Sequence, residues 1–247
     1  SYATGLTIEI IFAQYRKHDV PEGFLVSGML IPLILPANIP LWMVALATAF
    51  AVIIGVEAFG GAVMNIFNPA LLARAFLFFA YPSQMSGDKV WVAGLPSGQG
   101  VVDGFSGATP LAHLAQNETS KLASFSDMFF GYIPGSIGET STLAILLGAI
   151  LLIWTGIGSW KIMLSGVVGA LSLGGLFQLI GASHPEISNA FFHIPAYYHL
   201  VIGGFAFGIV FMATDPVSAA QTERGKWIYG FLIGVFCVLI RVLNPAY

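Results

Sequence analysis

Long stretches of this sequence contain no Asp, Glu, Lys or Arg, among them 23–56, 58–73, 75–87, 142–160, 162–185, 187–214 and 227–240. No other feature constrains the fold as strongly. A membrane-crossing helix needs about 20 mostly apolar residues. In lipid, every backbone N–H and C=O must be satisfied inside a helix or a closed barrel. These runs are too long and too continuously apolar for the roughly ten-residue alternating strands of a barrel, so they read as helices. Composition agrees: 57% of residues are hydrophobic and 9% charged, against roughly 25% charged in a soluble domain. A soluble enzyme, a disordered chain and a coiled coil are excluded. A net charge of −3 lacks the basic footprint of nucleic-acid binding. One cysteine, Cys237, leaves no disulfide framework and no cysteine-ligated cluster within the chain.

Pro and Gly divide the runs. Pro36 and Pro40 leave helices near 24–36 and 41–58, and Asn68-Pro69 starts another that reaches about Tyr81. Then come Ser141–Ser159, Ile162–Ile180, Tyr197–Ala213 and Trp227–Leu243, with a short apolar piece at 4–15. The expectation is an all-α polytopic transmembrane bundle, 1–247 forming one transmembrane domain. There is no signal-peptide basic region at the start and no tail at the end, so the chain reads as a segment of a longer membrane protein. The excess of Lys and Arg on one side sets orientation. It places Arg16, Lys17, Lys161, Arg224 and Lys226 inside, and Lys89 and Lys121 outside. The long connection 82–140 is then extracytoplasmic.

Two stretches look alike. Ala58-Phe59-Gly60 precedes Asn68-Pro69-Ala70-Leu71, and Ala206-Phe207-Gly208 precedes Asp215-Pro216-Val217-Ser218. Each reads as a helix that breaks and restarts, because the residue before Pro leaves helical geometry while Pro suits a first turn. Paired interruptions suggest two pseudo-symmetric halves and a central site, although small residues and Pro are common in membrane helices anyway. Glu57 and Asp215 sit beside these breaks, where intramembrane acids are functional candidates. Thr214, Asp215 and Ser218 offer oxygen ligands for Na+; Asp215 equally suits a capping role, and Glu57 better suits an ion pair. Glu9 is flanked by apolar residues. Arg74 and Arg241 could pair with buried acids or face quinone or phosphate oxygens. His18, His113, His184, His193 and His199 show no i, i+3 or i, i+4 pairing, so haem or zinc ligation within the chain is not expected.

Within 82–140, Asp103 to Leu111 is rich in small residues around Thr109, with Pro110 next. The spacing fits a turn as well as an accessible modification site. If the latter, loss of the Thr109 hydroxyl from an exposed loop should cost about 0.5 kcal/mol or less. Ile133 to Ser141 precedes a helix whose first amides could hold a phosphate, or which is simply Ser/Thr-capped.

These residues resemble a known family. Ser106-Gly107-Ala108-Thr109 is similar to the flavin-attachment signature of membrane subunits of bacterial respiratory flavoprotein complexes. Asn65 to Leu71, Arg74 to Pro82, Pro134 to Leu143, Ala213 to Ala219 and Gly225 to Tyr247 resemble the NqrB family, membrane subunits of Na+-translocating NADH:quinone oxidoreductases, over essentially the whole chain. The RnfD family of ferredoxin-linked complexes is the close alternative. The resemblance implies FMN esterified through its phosphate to Thr109 by a periplasmic, Mg2+-dependent flavin transferase. It implies non-covalent riboflavin near Asn65 and Asn68, and a quinone region at Gly5 and Glu9, where Leu6 replaces a second family Gly. It implies Na+ movement past Glu9 and Asp215. The bundle would resemble urea and ammonium channels, in the inner membrane, with other subunits passing electrons from NADH to ubiquinone. No Gly-x-Gly-x-x-Gly motif opens a βα unit, so NADH binds elsewhere. A flavin-free channel of the urea or ammonium type is the competing reading from the broken helices alone.

Overall fold

The computed structural model describes residues 1–17, 19, 22–61, 64–87, 90–92 and 105–244. It falls into two compact units, one of Ser1–Ser86 with Ser136–Gly138, the other of Gly87–Gly135 with Glu139–Tyr247. Among the described residues three helices are long and apolar enough to cross a membrane, Leu41–Phe59, Trp160–Ser183 and Glu223–Leu243. Phe24–Leu33, Pro69–Ala80 and Thr142–Trp154 are shorter apolar helices. The architecture is helical as expected, with one small antiparallel ribbon added.

The first unit carries α1 (Tyr2–Arg16), α2 (Phe24–Leu33), α3 (Leu41–Gly55), α4 (Pro69–Ala80) and α5 (Pro82–Met85). α1 packs on α2 where Gly5 meets Phe24, and a Cβ at Gly5 would overlap the Phe24 ring. α2 stops at Leu33, short of 36, because Pro36 forces the residue before it out of helical geometry. Arg74 Nη1 donates to Ile34 O at 2.9 Å, satisfying a carbonyl at that helix end. α3 continues into a tight turn, Glu57–Phe59, that ends on Gly60 in the left-handed region. α4 starts as the sequence predicts: Asn68 Oδ1 accepts from the Ala70 and Leu71 amides, with Pro69 in the first turn.

The second unit holds β1 (Val90–Val92) paired antiparallel with β2 (Phe105–Gly107), then α6 (Pro110–Ala115), α7 (Phe125–Phe130), α8 (Thr142–Trp154), α9 (Trp160–Ser183), α10 (Tyr198–Val201), α11 (Phe205–Phe207) and α12 (Glu223–Leu243). Its frame is the pair α9–α12. A Cβ at Gly230 or Gly234 would run into the Ile162 or Gly166 carbonyl, and one at Gly169 into that of Phe231. Small residues four apart let two membrane helices meet backbone to backbone. Lys161 pairs with Glu223, and Trp160 meets Trp227 edge-on with centroids 5.8 Å apart. At the far end Asn189 Nδ2 donates to Val242 O at 2.8 Å. The two helices therefore run parallel, with their basic starts side by side, matching the common side that the charge pattern gives Lys161 and Lys226.

Two expectations need correction here. The run Tyr197–Ala213 is not one span. It breaks after α10 at Ile202–Gly204, where Gly203 has φ 64, and continues as α11 and a π-helical turn, Gly208–Met212. Nor does Pro216 open a helix. Residues after Asp215 form turns, and the chain becomes helical again only at Glu223, capped by Thr222 Oγ1 accepting from the Gly225 amide at 3.1 Å.

Candidate functional site

The ribbon places the Ser106–Thr109 stretch. Register pairs Val90 with Gly107 and Trp91 with Ser106, so Ser106 and Gly107 belong to β2. Ala108 leaves the strand and Thr109 caps α6, its Oγ1 accepting from the Ala112 amide at 3.2 Å. The Thr109 amide donates to Gly87 O at 2.8 Å. Gly87 keeps space beside the hydroxyl, since a Cβ there would come within 2.6 Å of Oγ1. Thr109 is half-buried. It is therefore not the exposed loop residue expected from composition, but a helix cap whose oxygen is fixed by a backbone bond. Asp103 and Gly104 lie outside the described residues, as do Lys89 and His18.

Beyond α6, Glu118 accepts from Lys121 at 2.8 Å and bonds His113 Nδ1 at 3.0 Å. The Lys121 ammonium first, and His113 second, hold its carboxyl below the usual range. Asn117, in the left-handed region, accepts from the Ala190 amide at 2.8 Å. That ties α6 to the turn Ala190–Phe192 beside Asn189, at the end of α9–α12 opposite Lys161 and Lys226. The helix start after Ile133–Thr140 is an ordinary cap, with Ser141 Oγ accepting from the Ala144 amide at 3.3 Å.

Asn65 and Asn68 both lie just before α4 and are buried. Asn65 Nδ2 donates to Phe67 O at 3.0 Å, and Asn68 Oδ1 is the α4 cap. Gly5 and Glu9 share one side of α1, with Glu9 fully buried. The contact between Gly5 and Phe24 gives that glycine a packing reason of its own. Glu57 is buried and paired: Arg16 donates to its carboxylate at 3.1 Å and to its carbonyl at 2.8 Å. Asp215 Oδ1 accepts from the Val217 amide at 3.2 Å and Oδ2 from the Ser218 hydroxyl at 2.6 Å. Thr214 turns instead onto its own helical turn, its hydroxyl bonded to Val210 O. Of the three oxygen donors, only Asp215 and Ser218 are brought into contact.

Sequence reasoning missed the most unusual polar pair. His199 is 1% exposed, and neither ring nitrogen has a hydrogen-bond partner among the described residues. Its ring stacks on Phe191 with centroids 6.3 Å apart. Arg241, also buried, donates to His199 O at 2.8 Å and to Ile202 O at 2.7 Å. The signal was available in a polar residue inside the apolar run 187–214 followed by Gly203-Gly204, but no spacing rule links it to Arg241.

The whole chain, residues 1–247, matches the family model described as NQR2, RnfD, RnfE family. The chain belongs to this family. Similar curated relatives are named as the B component of the Na(+)-translocating NADH-quinone reductase. That of Chromohalobacter salexigens is 55% identical, across 100% of this chain and 58% of the relative. That of Stutzerimonas stutzeri is 54% identical, across 97% of this chain and 57% of the relative. That of Neisseria meningitidis serogroup B is 48% identical, across 100% and 60%. The chain thus spans less than two thirds of the length of the relatives it matches. Family membership and its apolar helices make it a membrane protein.

Proposed function

We propose that this chain is the membrane core of an NqrB-type component that carries covalent FMN in a sodium-pumping NADH:quinone oxidoreductase. Partner subunits bind NADH and deliver its electrons. Thr109 would hold a flavin and Asn65 and Asn68 a riboflavin, which when bound would supply electron transfer toward ubiquinone while Na+ crosses the inner membrane. The observation that carries the reading is the placement of Thr109. Its hydroxyl oxygen is held at the mouth of α6, beside the space kept by Gly87, at the end of α9–α12 away from Lys161 and Lys226. With basic ends inside, that end is periplasmic, where a flavin transferase can reach it.

The residues present fit the group. In the transferase reaction the Oγ1–phosphorus bond would replace the bond between the flavin phosphate and the leaving group of its activated donor, the Oγ1 proton passing to a base, and the ester oxygen would keep a lone pair for the Ala112 amide. Bound flavin would supply reversible electron storage; Ser106 and Gly107 in β2, with Ala108 just after it, lead the chain to Thr109. Asn65 and Asn68 supply carboxamides in a nearly buried turn, the usual protein lever on a flavin ring. Gly5 and Glu9 remain our quinone candidates, and Asp215 with Glu9 our Na+ candidates. We read the interruptions before Asn68-Pro69 and before Asp215-Pro216 as belonging to two pseudo-symmetric halves of the urea- and ammonium-channel kind.

The test is the intact mass of the full-length protein, co-expressed with its flavin transferase, beside Thr109→Ala. A flavin-sized addition in the parent alone is expected. An unmodified parent sinks the attachment, and solute flux by the flavin-free protein would then favour a channel.

A further inference from the structure

We infer that the paired starts of α9 and α12 bind an anionic phospholipid, its headgroup at Lys161, Arg224 and Lys226 and its acyl chains along the apolar faces of the same two helices.

The charges here do not balance within the protein. Lys161 Nζ donates to Glu223 Oε2, and Lys226 Nζ donates to Glu223 Oε1 at 2.9 Å. One carboxylate thus gathers two ammonium groups and can cancel only one of them. Arg224, the next residue on α12, is exposed. Three cations therefore face one anion. An ammonium carries three donors, and among the described residues each lysine spends one on Glu223, so N–H groups remain for a phosphate. The far end of α9 has no such excess among the described residues: His184 there meets Glu186 at 2.9 Å.

The surroundings match a lipid rather than a soluble anion. Trp160 and Trp227 are exposed and meet edge-on across the two helices, and Lys161 Nζ lies 5.7 Å from the Trp160 ring centroid. Tryptophan concentrates where hydrocarbon gives way to headgroups. The Lys161 and Lys226 side chains are mostly covered while their heads reach the exposed Glu223 carboxylate, as in snorkelling side chains. Beyond this collar Leu164, Val168 and Leu171 share one exposed face of α9, starting one turn from Trp160, and Ile228, Phe231 and Leu232 share one of α12. Basic residues clustered at a membrane face attract anionic lipid, and a headgroup held at the collar sets its chains on these faces. A soluble acidic segment matches the charges but not the apolar faces. A second membrane helix matches the faces less well, because the glycines that favour close helix contact, Gly166, Gly169, Gly230 and Gly234, are spent between α9 and α12.

The test uses the full-length protein in nanodiscs that hold equal amounts of phosphatidylglycerol and phosphatidylcholine with the same acyl chains. Native mass spectrometry reads which lipid stays bound. The parent should retain phosphatidylglycerol in preference. Arg224→Gln, at an exposed position, should lower that preference about fivefold, the effect of one basic residue at an anionic lipid surface. The triple change Lys161→Gln, Arg224→Gln and Lys226→Gln should abolish it. Lys121→Gln, the same loss of charge outside the collar, should leave it unchanged. Glu223→Gln should raise it, because the competing carboxylate is gone, whereas a purely internal ion-pair cluster would only be loosened. Where the triple variant does not fold, Arg224→Gln against Glu223→Gln decides. Equal retention of the two lipids by the parent, an unchanged preference in Arg224→Gln, a loss of preference in Glu223→Gln, or displacement of the lipid by excess glycerol phosphate overturns the inference. So does a triple variant that keeps its lipid but loses a protein partner, which makes the collar a subunit contact.

Discussion

Arg74 in α4 and Arg241 in α12 do the same local work in the two units. Each reaches to carbonyls at the end of an earlier helix, Ile34 O in one case and His199 O with Ile202 O in the other. Their surroundings differ. In the first unit the buried acid Glu57 is already met by Arg16, and the Asn65 and Asn68 carboxamides are committed to the turn before α4. In the second, the capped segment includes an imidazole with both nitrogens unmet, under two glycines. An intramembrane charge is thus a weak pointer to function by itself. What separates a structural pair from a site is whether the bonding capacity of the cluster is used up. On that criterion the units differ in degree: Arg16 meets one Glu57 oxygen and leaves Oε1 without a hydrogen bond among the described residues, whereas at His199 a whole imidazole is unmet.

The contrast fails if the second unit lacks a rigid frame, so its largest test is Gly234→Val. The added atoms would meet the Gly166 carbonyl and the Ala170 amide, which no rotamer change relieves. Overpacking of this kind should cost about 3 kcal/mol. Gly175→Ala in α9, where nothing lies within 4 Å, should be neutral or stabilise by up to about 1 kcal/mol. Unfolding in mixed detergent reads both, and equal effects would mean the close helix contact is not what holds the unit.

For the first unit, Arg16→Ala leaves Glu57 buried without its cation. Breaking a fully buried pair costs about 3–5 kcal/mol. The Arg16 side chain is 32% exposed, so water screens part of it and about 2 kcal/mol is expected. The double change Arg16→Met with Glu57→Gln should recover most of that loss. If the double variant retains parental stability but loses Na+-dependent turnover, Glu57 is a working acid and the units are less different than drawn.

Thr109 links stability to attachment. As the cap of a six-residue helix it stabilises by about 1 kcal/mol, more than a loop hydroxyl would. Thr109→Ala should therefore lose flavin and lower stability by about that amount, whereas Thr109→Asn should lose flavin and keep the cap. Equal unfolding of the two variants would show that the cap bond is not what orders α6.

The sequence made much of this visible, and its failures have physical causes. Charge-free runs located the long helices, because lipid tolerates little else, and Asn68-Pro69 marked a helix start through local chemistry. The motif at Ser106–Thr109 was legible, but not that Thr109 caps α6, which depends on β2 handing the chain to Pro110. The break at Ile202–Gly204 was hidden inside an uninterrupted apolar run. Only the three-dimensional return of α12, which brings Arg241 to carbonyls 42 and 39 residues earlier, makes it stable. The Gly230–Gly234 spacing was present in the letters but means packing only once α9 lies against it.

The smallest effect concerns how firmly α6 is held from its far end. Lys121 and His113 bond the Glu118 carboxylate and lower its pKa below the ordinary value of 4.5. A group whose folded pKa is depressed contributes stability above its unfolded pKa and loses it as pH falls through the folded one. The clasp should thus be intact at neutral pH and weaken in acid below pH 4.5. Hydrogen exchange at the Glu118 amide, which donates to His113 O at 2.8 Å, is the local probe. Protection in the parent should fall on acidification relative to Glu118→Gln, in which the bond is already weak and pH has little effect. The Ala70 amide at the Asn68 cap is the internal reference, since a carboxamide cap does not titrate. If parent and Glu118→Gln lose protection together, or if the Ala70 amide falls in step with them, acid is loosening both units at large and the clasp contributes nothing of its own to holding Thr109.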